Sequence, residues 1–167
     1  MRHTKRVRDD ERSRPRGGGR VNLTVDDDAI GGARDVATGD GIRVATARSR
    51  VTMSEPTARL VESNALKKGD VLGAARYAAV QAAKSAGAYL PLYTPLSAPL
   101  AHVTFEVGED FVDVRVDVLG QGLEGRMPAL SAATVAALTI FDMCKAVDRT
   151  MSIGHVECVD VEESGNE

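Results

Sequence analysis

In FVDVRVDVL, residues 111–119, apolar and charged side chains alternate without a break from Val112 to Val118. Successive side chains of an extended strand point to opposite faces, so Val112, Val114, Val116 and Val118 share one face and Asp113, Arg115 and Asp117 share the other. One face is core and the other is wet. AHVTFEV, residues 101–107, precedes it, and Gly108, Glu109 and Asp110 make a link of hairpin length. The pair reads as an antiparallel hairpin, whose apolar face needs cover from elsewhere in the chain.

Working outward, the remaining patterns supply that cover. IRVATARSRVTM, residues 42–53, has enough β-branched residues and partial alternation for a strand. SEPTARLVESN, residues 54–64, reads as a short helix with Ser54 at the N-cap and Pro56 in the first turn. Residues 67–90 form a long alanine-rich helix with Asp70 as its N-cap. The prolines of PLYTPLSAPL, residues 91–100, then deny the backbone both helix continuation and ladder donors. A second long helix begins near Ser131, and SIGHVECVDV, residues 152–161, closes the domain as a strand. This order gives an α+β fold, a ferredoxin-like antiparallel sheet with helices on one face.

Composition agrees with one such domain: 167 residues, 43% of them apolar, are enough for a single core. No uncharged apolar run is long enough to span a membrane, and the charged N-terminus does not read as a secretory signal. A soluble cytoplasmic protein is expected, without membrane association. Cys144 and Cys158, with thirteen residues between them and accompanied by three histidines, suggest reduced, buried thiols and no metal or disulfide framework. Residues 1–20 carry eight Lys or Arg against three Asp or Glu, almost no apolar side chains, and a glycine run. That segment cannot bury enough surface to fold, and without aromatic side chains it is a solvated basic tail, not a nucleic-acid arm. The domain is therefore expected over residues 21–167.

LTIFDMCKAVDRTM, residues 138–151, holds the chemistry. Asp142 and Lys145 are three apart, hence neighbours on one helix face, while Leu138, Ile140, Phe141, Met143, Cys144 and Val147 surround them. As a surface ion pair they would contribute a few tenths of a kcal/mol. A helix apolar nearly all round is usually enclosed, and enclosure would desolvate the pair and shift its pKa values toward catalytic use.

Residues 131–148, SAATVAALTIFDMCKAVD, resemble the signature helix of the cyclic pyranopterin monophosphate synthases, the MoaC family of molybdenum-cofactor biosynthesis. KKGDVLGAARYAAVQAAK, residues 67–84, is similar to that family's other signature, and PLYTPL with PLAHVTFEV to its loop and following strand. The resemblance covers about residues 42–160 in order. It implies a lyase converting cyclised dihydro-GTP to a cyclic phosphate on a pyranopterin with loss of pyrophosphate, without cofactor. It also implies a homo-oligomer, a dimer or a hexamer built as a trimer of dimers, with sites at the dimer interface. Asp142 matches the family's catalytic acid or base, Lys145 its charged partner, and Lys68 the lysine of the KGD signature. Arg43, His102, Tyr93, Thr94, Glu124 and Met127 are carried over as residues facing substrate.

Each has a plainer reading. Lys68 and Arg43 are the kind of cations that ordinarily sit in solvent; His102 falls on the outward side of an alternating strand; Asp70 serves as an N-cap, and Cys144 as a small hydrophobe. The chain also departs from the family. Thr94 stands where the loop has histidine, and Pro128 where a Glu-Met-Glu segment has one of its acids, with Glu124 as a substitute for the other. Glu162 or Glu163 falls near the position of a C-terminal lysine. Three readings stay open: a divergent synthase, a paralogue acting on another purine-derived phosphate, and a non-catalytic subunit that assembles with an active relative.

Overall fold

A computed structural model describes residues 42–94, 99–121 and 125–159. The basic segment 1–20, Glu124, Glu162 and Glu163 lie outside the described residues, as does the side chain of Arg43. The element order is β1 (Ile42–Thr52), α1 (Glu55–Glu62), α2 (Val71–Tyr89), β2 (Leu100–Val107), β3 (Phe111–Gln121), α3 (Arg126–Cys144) and β4 (Ser152–Val159). The strands form one antiparallel sheet in the order β2-β3-β1-β4. The α+β class expected from the order of strands and helices is what forms.

Register follows from burial. Val112, Val114, Val116 and Val118 pair along β1 with Val51, Ser49, Ala47 and Ala45, and that side of the sheet packs against α3. A slip of one residue would turn the valines to water and Asp113, Arg115 and Asp117 into the core. α3 meets the sheet with a stripe of small side chains, Ala129, Ala132, Ala133, Ala136 and Ala137, all fully buried, followed by Ile140 and Cys144. Small residues permit the close approach of α3 to α2, which contributes Ala75, Ala79 and Ala83 to the same core. Ser49, the one polar residue in that inward run of β1, donates its hydroxyl to the Ala133 carbonyl oxygen at 2.8 Å.

Three local expectations need correction. α3 starts at Arg126, not near Ser131, because Pro128 falls in the first turn, where backbone N–H groups have no intrahelical acceptor to lose. Ser54 occupies the N-cap of α1 without making the capping bond; its Oγ pairs with Thr57 Oγ1 at 2.9 Å. Asp70 does cap α2, accepting from Gly73 N–H at 2.9 Å. Of the two thiols only Cys144 is buried, while Cys158 is half-buried at the sheet edge strand β4.

Candidate active site

Gly69 has φ 99°, in the left-handed region that side chains rarely adopt, so the KGD turn needs glycine there. The turn places Asp70 at the head of α2 and sends Lys68 toward the end of α3. Lys68 Nζ donates to the backbone oxygen of Asp142 at 2.9 Å, and Lys145 Nζ donates to Asp142 Oδ1 at 2.6 Å. Two lysines from distant stretches of sequence thus converge on Asp142, Lys68 on its backbone oxygen and Lys145 on its carboxylate.

The Lys145 hydrogen bond and charge, with help from the Lys68 charge, hold the Asp142 carboxyl below the usual carboxylate range, against a smaller opposing effect of burial. At neutral pH Asp142 is an anion between two cations, able to accept a proton but with none to give. Burial, reinforced by the charge of Asp148, pushes the Cys144 thiol up, with Lys68 opposing. It stays a protonated hydrophobe, as its apolar neighbours led one to expect.

The expected desolvation of the pair is absent within one chain. The Asp142 and Lys145 side chains are 61% and 57% exposed. The buried stripe of α3 ends at Ile140 and Cys144, and Asp142 and Lys145 lie off it. Apolar composition all round the helix did not mean enclosure, since Leu138 is 55% exposed.

The other carried-over residues that the structure describes lie elsewhere. Met127, 38% exposed, sits in the first turn of α3, about 22 Å along the helix from Asp142 at the rise of ~1.5 Å per residue. Arg43 is paired through its backbone with Gly120 at the far end of β1 from Ser54. Gly125, just before α3, lies over Ala45 at that same end. His102 is half-buried opposite Asp117, on the side of the sheet that β3 turns away from the helices. Tyr93 is half-buried and Thr94 exposed in the segment after α2. Among the described residues, one chain therefore brings together Lys68, Asp142 and Lys145 from that set. A cavity of about 620 Å³ opens on the sheet face away from the helices. Arg48, Arg50, Glu106, Arg115, His155 and Glu157 are among the residues lining it, and none of the trio does.

Sequence reasoning missed Asp148. It is 5% exposed, and its two oxygens accept from Ser54 N–H, Thr150 N–H and Thr150 Oγ1–H. The local signal was an aspartate two residues before a threonine; its more distant partner was not readable.

The MoaC family model matches residues 35–164. The chain belongs to the MoaC family. It is 42% identical over 138 residues to the cyclic pyranopterin monophosphate synthase of Chloroflexus aurantiacus, an alignment covering 79% of this chain and 85% of that protein. The synthase of the same name from Heliobacterium modesticaldum is 42% identical over 139 residues, covering 80% and 87%. A molybdenum cofactor biosynthesis bifunctional protein of Chlorobaculum tepidum is 42% identical over 115 residues, 68% of this chain and 37% of that longer protein. The trio Lys68, Asp142 and Lys145 lies inside the stretch matched to the MoaC family.

Proposed function

We propose that this MoaC family member is a cyclic pyranopterin monophosphate synthase, a lyase that converts 3',8-cyclo-7,8-dihydro-GTP to cyclic pyranopterin monophosphate and pyrophosphate in molybdenum cofactor biosynthesis. The observation that carries the reading is the convergence of Lys68 and Lys145 on Asp142, in a chain 42% identical to synthases of that name. Closing a cyclic phosphate on the pyranopterin breaks the bond between the α-phosphorus and its bridging oxygen. The attacking hydroxyl gives up a proton, and pyrophosphate carries away the bond electrons. Asp142, held as an anion, is placed to take such a proton, and the two lysines supply positive charge for the leaving phosphates.

The pair's exposure and the split of the carried-over residues between the two ends of the fold support a homo-oligomer. A second copy in opposite orientation would lay the end holding Met127 and Arg43 beside the partner's trio and desolvate it. We place the protein in the cytoplasm as a hexamer built from such dimers, each chain with the ferredoxin-like arrangement that its strand order matches. A non-catalytic subunit is favoured by one observation. Thr94, exposed, stands where the family loop carries histidine, and a hydroxyl does not titrate near neutrality.

Pyrophosphate release from the cyclised dihydro-GTP separates the two. The parent protein alone should release it, and Asp142→Asn should lower the rate about 100-fold or more, the scale of a lost general base. No release where an ordinary synthase is active would overturn the enzymatic reading. Release by the variant at the parent rate would remove Asp142 from it.

A further inference from the structure

We propose that Asp148 is a positioning residue, a carboxylate strap that fixes the last turn of α3 to the junction of β1 and α1 and thereby holds Asp142 and Lys145 against Lys68. Its effect on turnover rests on the synthase reading; the strap itself does not.

The geometry is specific. Asp148 Oδ2 accepts the Ser54 N–H at 2.7 Å, and Oδ1 accepts the Thr150 N–H at 2.9 Å and its hydroxyl at 2.7 Å. Asp148 in turn donates its own N–H to the Cys144 carbonyl at 3.0 Å, an oxygen that also receives the Val147 N–H at 2.9 Å. The terminal carbonyls of a helix have no intrahelical donors, so the end of α3 is secured by this turn, and the turn by one carboxylate. These hydrogen bonds keep the buried group ionised, well below the usual carboxylate range.

Both sides of the trio hang from this point. Lys145 lies in the turn that Asp148 closes and Asp142 in the helical turn just before it, while Ser54 heads α1, whose continuation through residues 63–70 carries Lys68. Lys68 bonds a backbone oxygen of α3, so its fit depends on where that backbone lies and not on a rotamer of Asp142. The two lysines are long, exposed and rotamer-rich. Only a fixed backbone beneath them makes their convergence reproducible.

The test uses Asp148→Asn and Thr150→Val in the full chain. Asparagine keeps the shape, but one oxygen becomes an NH2 group that faces a donor; valine removes a single donor and leaves the carboxylate in place. The first readout is the carboxyl ¹³C titration of Asp142, whose charged neighbours are Lys145 and Lys68. It should move up toward the ordinary carboxylate value in Asp148→Asn and less far in Thr150→Val. With the cyclised dihydro-GTP, kcat should fall about tenfold in Asp148→Asn while KM stays within about twofold, the pattern of a misplaced reacting group. Ser49→Ala, which removes a hydrogen bond to α3 at Ala133, is the control: it should lower the melting temperature and leave the Asp142 titration alone. If Asp148→Asn does not fold, Thr150→Val decides. Lower melting temperatures with an unmoved Asp142 titration would overturn the strap. A moved titration in a protein that never releases pyrophosphate would sustain the strap and sink the synthase reading.

Discussion

β3 carries two kinds of surface on one backbone. Toward the helices, Val112, Val116 and Val118 are fully buried and Val114 is 1% exposed. On the other side Asp113 holds Arg50 through two bonds of 2.6 Å, and the guanidinium of Arg50 lies 3.9 Å over the Phe111 ring. Arg115 reaches Asp117 at 3.1 Å, and Asp117 also accepts from Thr46 Oγ1 at 2.6 Å. The inner face draws its stability from area, roughly 1.5–3 kcal/mol per buried valine. The outer face rests on partly exposed ion pairs that contribute less, and it even sets Arg48 directly across from Arg115, where like charges cost stability. The fold is specified from inside, and the outer face is free to vary.

Adjacent positions on that strand should therefore behave oppositely. Val116→Asp buries a carboxylate with no partner and should cost more than about 4 kcal/mol, enough to abolish the cooperative melt seen by circular dichroism. Arg115→Val, one residue away on the outer face, should change stability by no more than about 0.5 kcal/mol. Comparable losses at both sites would break the comparison. Next in size, Ala136→Leu forces extra methylenes into the fully buried stripe of α3 and should cost about 1–3 kcal/mol by urea denaturation.

What was legible in the sequence divides along the same line. The hairpin, the inward face of its second strand and the Asp70 cap were readable because each depends on neighbours in the chain. The start of α3 was misplaced because Pro128 looks like a break until it is seen in the first turn, where it costs nothing. In the site, Asp142 and Lys145 followed from their spacing and Lys68 from the family signature. The exposure of the pair was not readable. Periodicity in an all-apolar helix cannot distinguish residues covered by the chain's own sheet from residues such as Leu138 left bare on one copy. Asp148 was missed because the donor at its Oδ2 is the backbone N–H of Ser54, 94 residues earlier, and no side-chain pattern encodes a backbone donor.

A smaller test probes the seam between the two kinds of surface. Ser49 belongs to the inner face and is 2% exposed, yet it is polar, and its hydroxyl meets the Ala133 carbonyl. Ser49→Ala leaves that acceptor without its side-chain donor and should cost about 1 kcal/mol, a shift in denaturation midpoint without a change in slope. A neutral result would mean that the inner face tolerates polarity for reasons of volume alone.

The smallest effect on stability is expected where the functional interest is greatest. Lys145→Met removes the hydrogen bond and the charge that lower the Asp142 pKa while leaving the buried stripe untouched. A carboxyl whose folded pKa lies below its unfolded value contributes stability that is present above the unfolded pKa, about 3.9, and is lost as pH falls through the folded pKa. The variant should raise the Asp142 titration toward the ordinary value and flatten that acid slope slightly. Its melting temperature at pH 7 should hardly move, because the pair is exposed and screened by salt. Added salt should shrink the difference in titration between parent and variant, since no protein surface shields the pair in a single chain. If an oligomer covers it, as the split of the site residues suggests, the difference should instead resist salt while the protein stays assembled and become salt-sensitive on dilution. The same titration, followed against protein concentration, thus tests whether a second copy encloses Asp142.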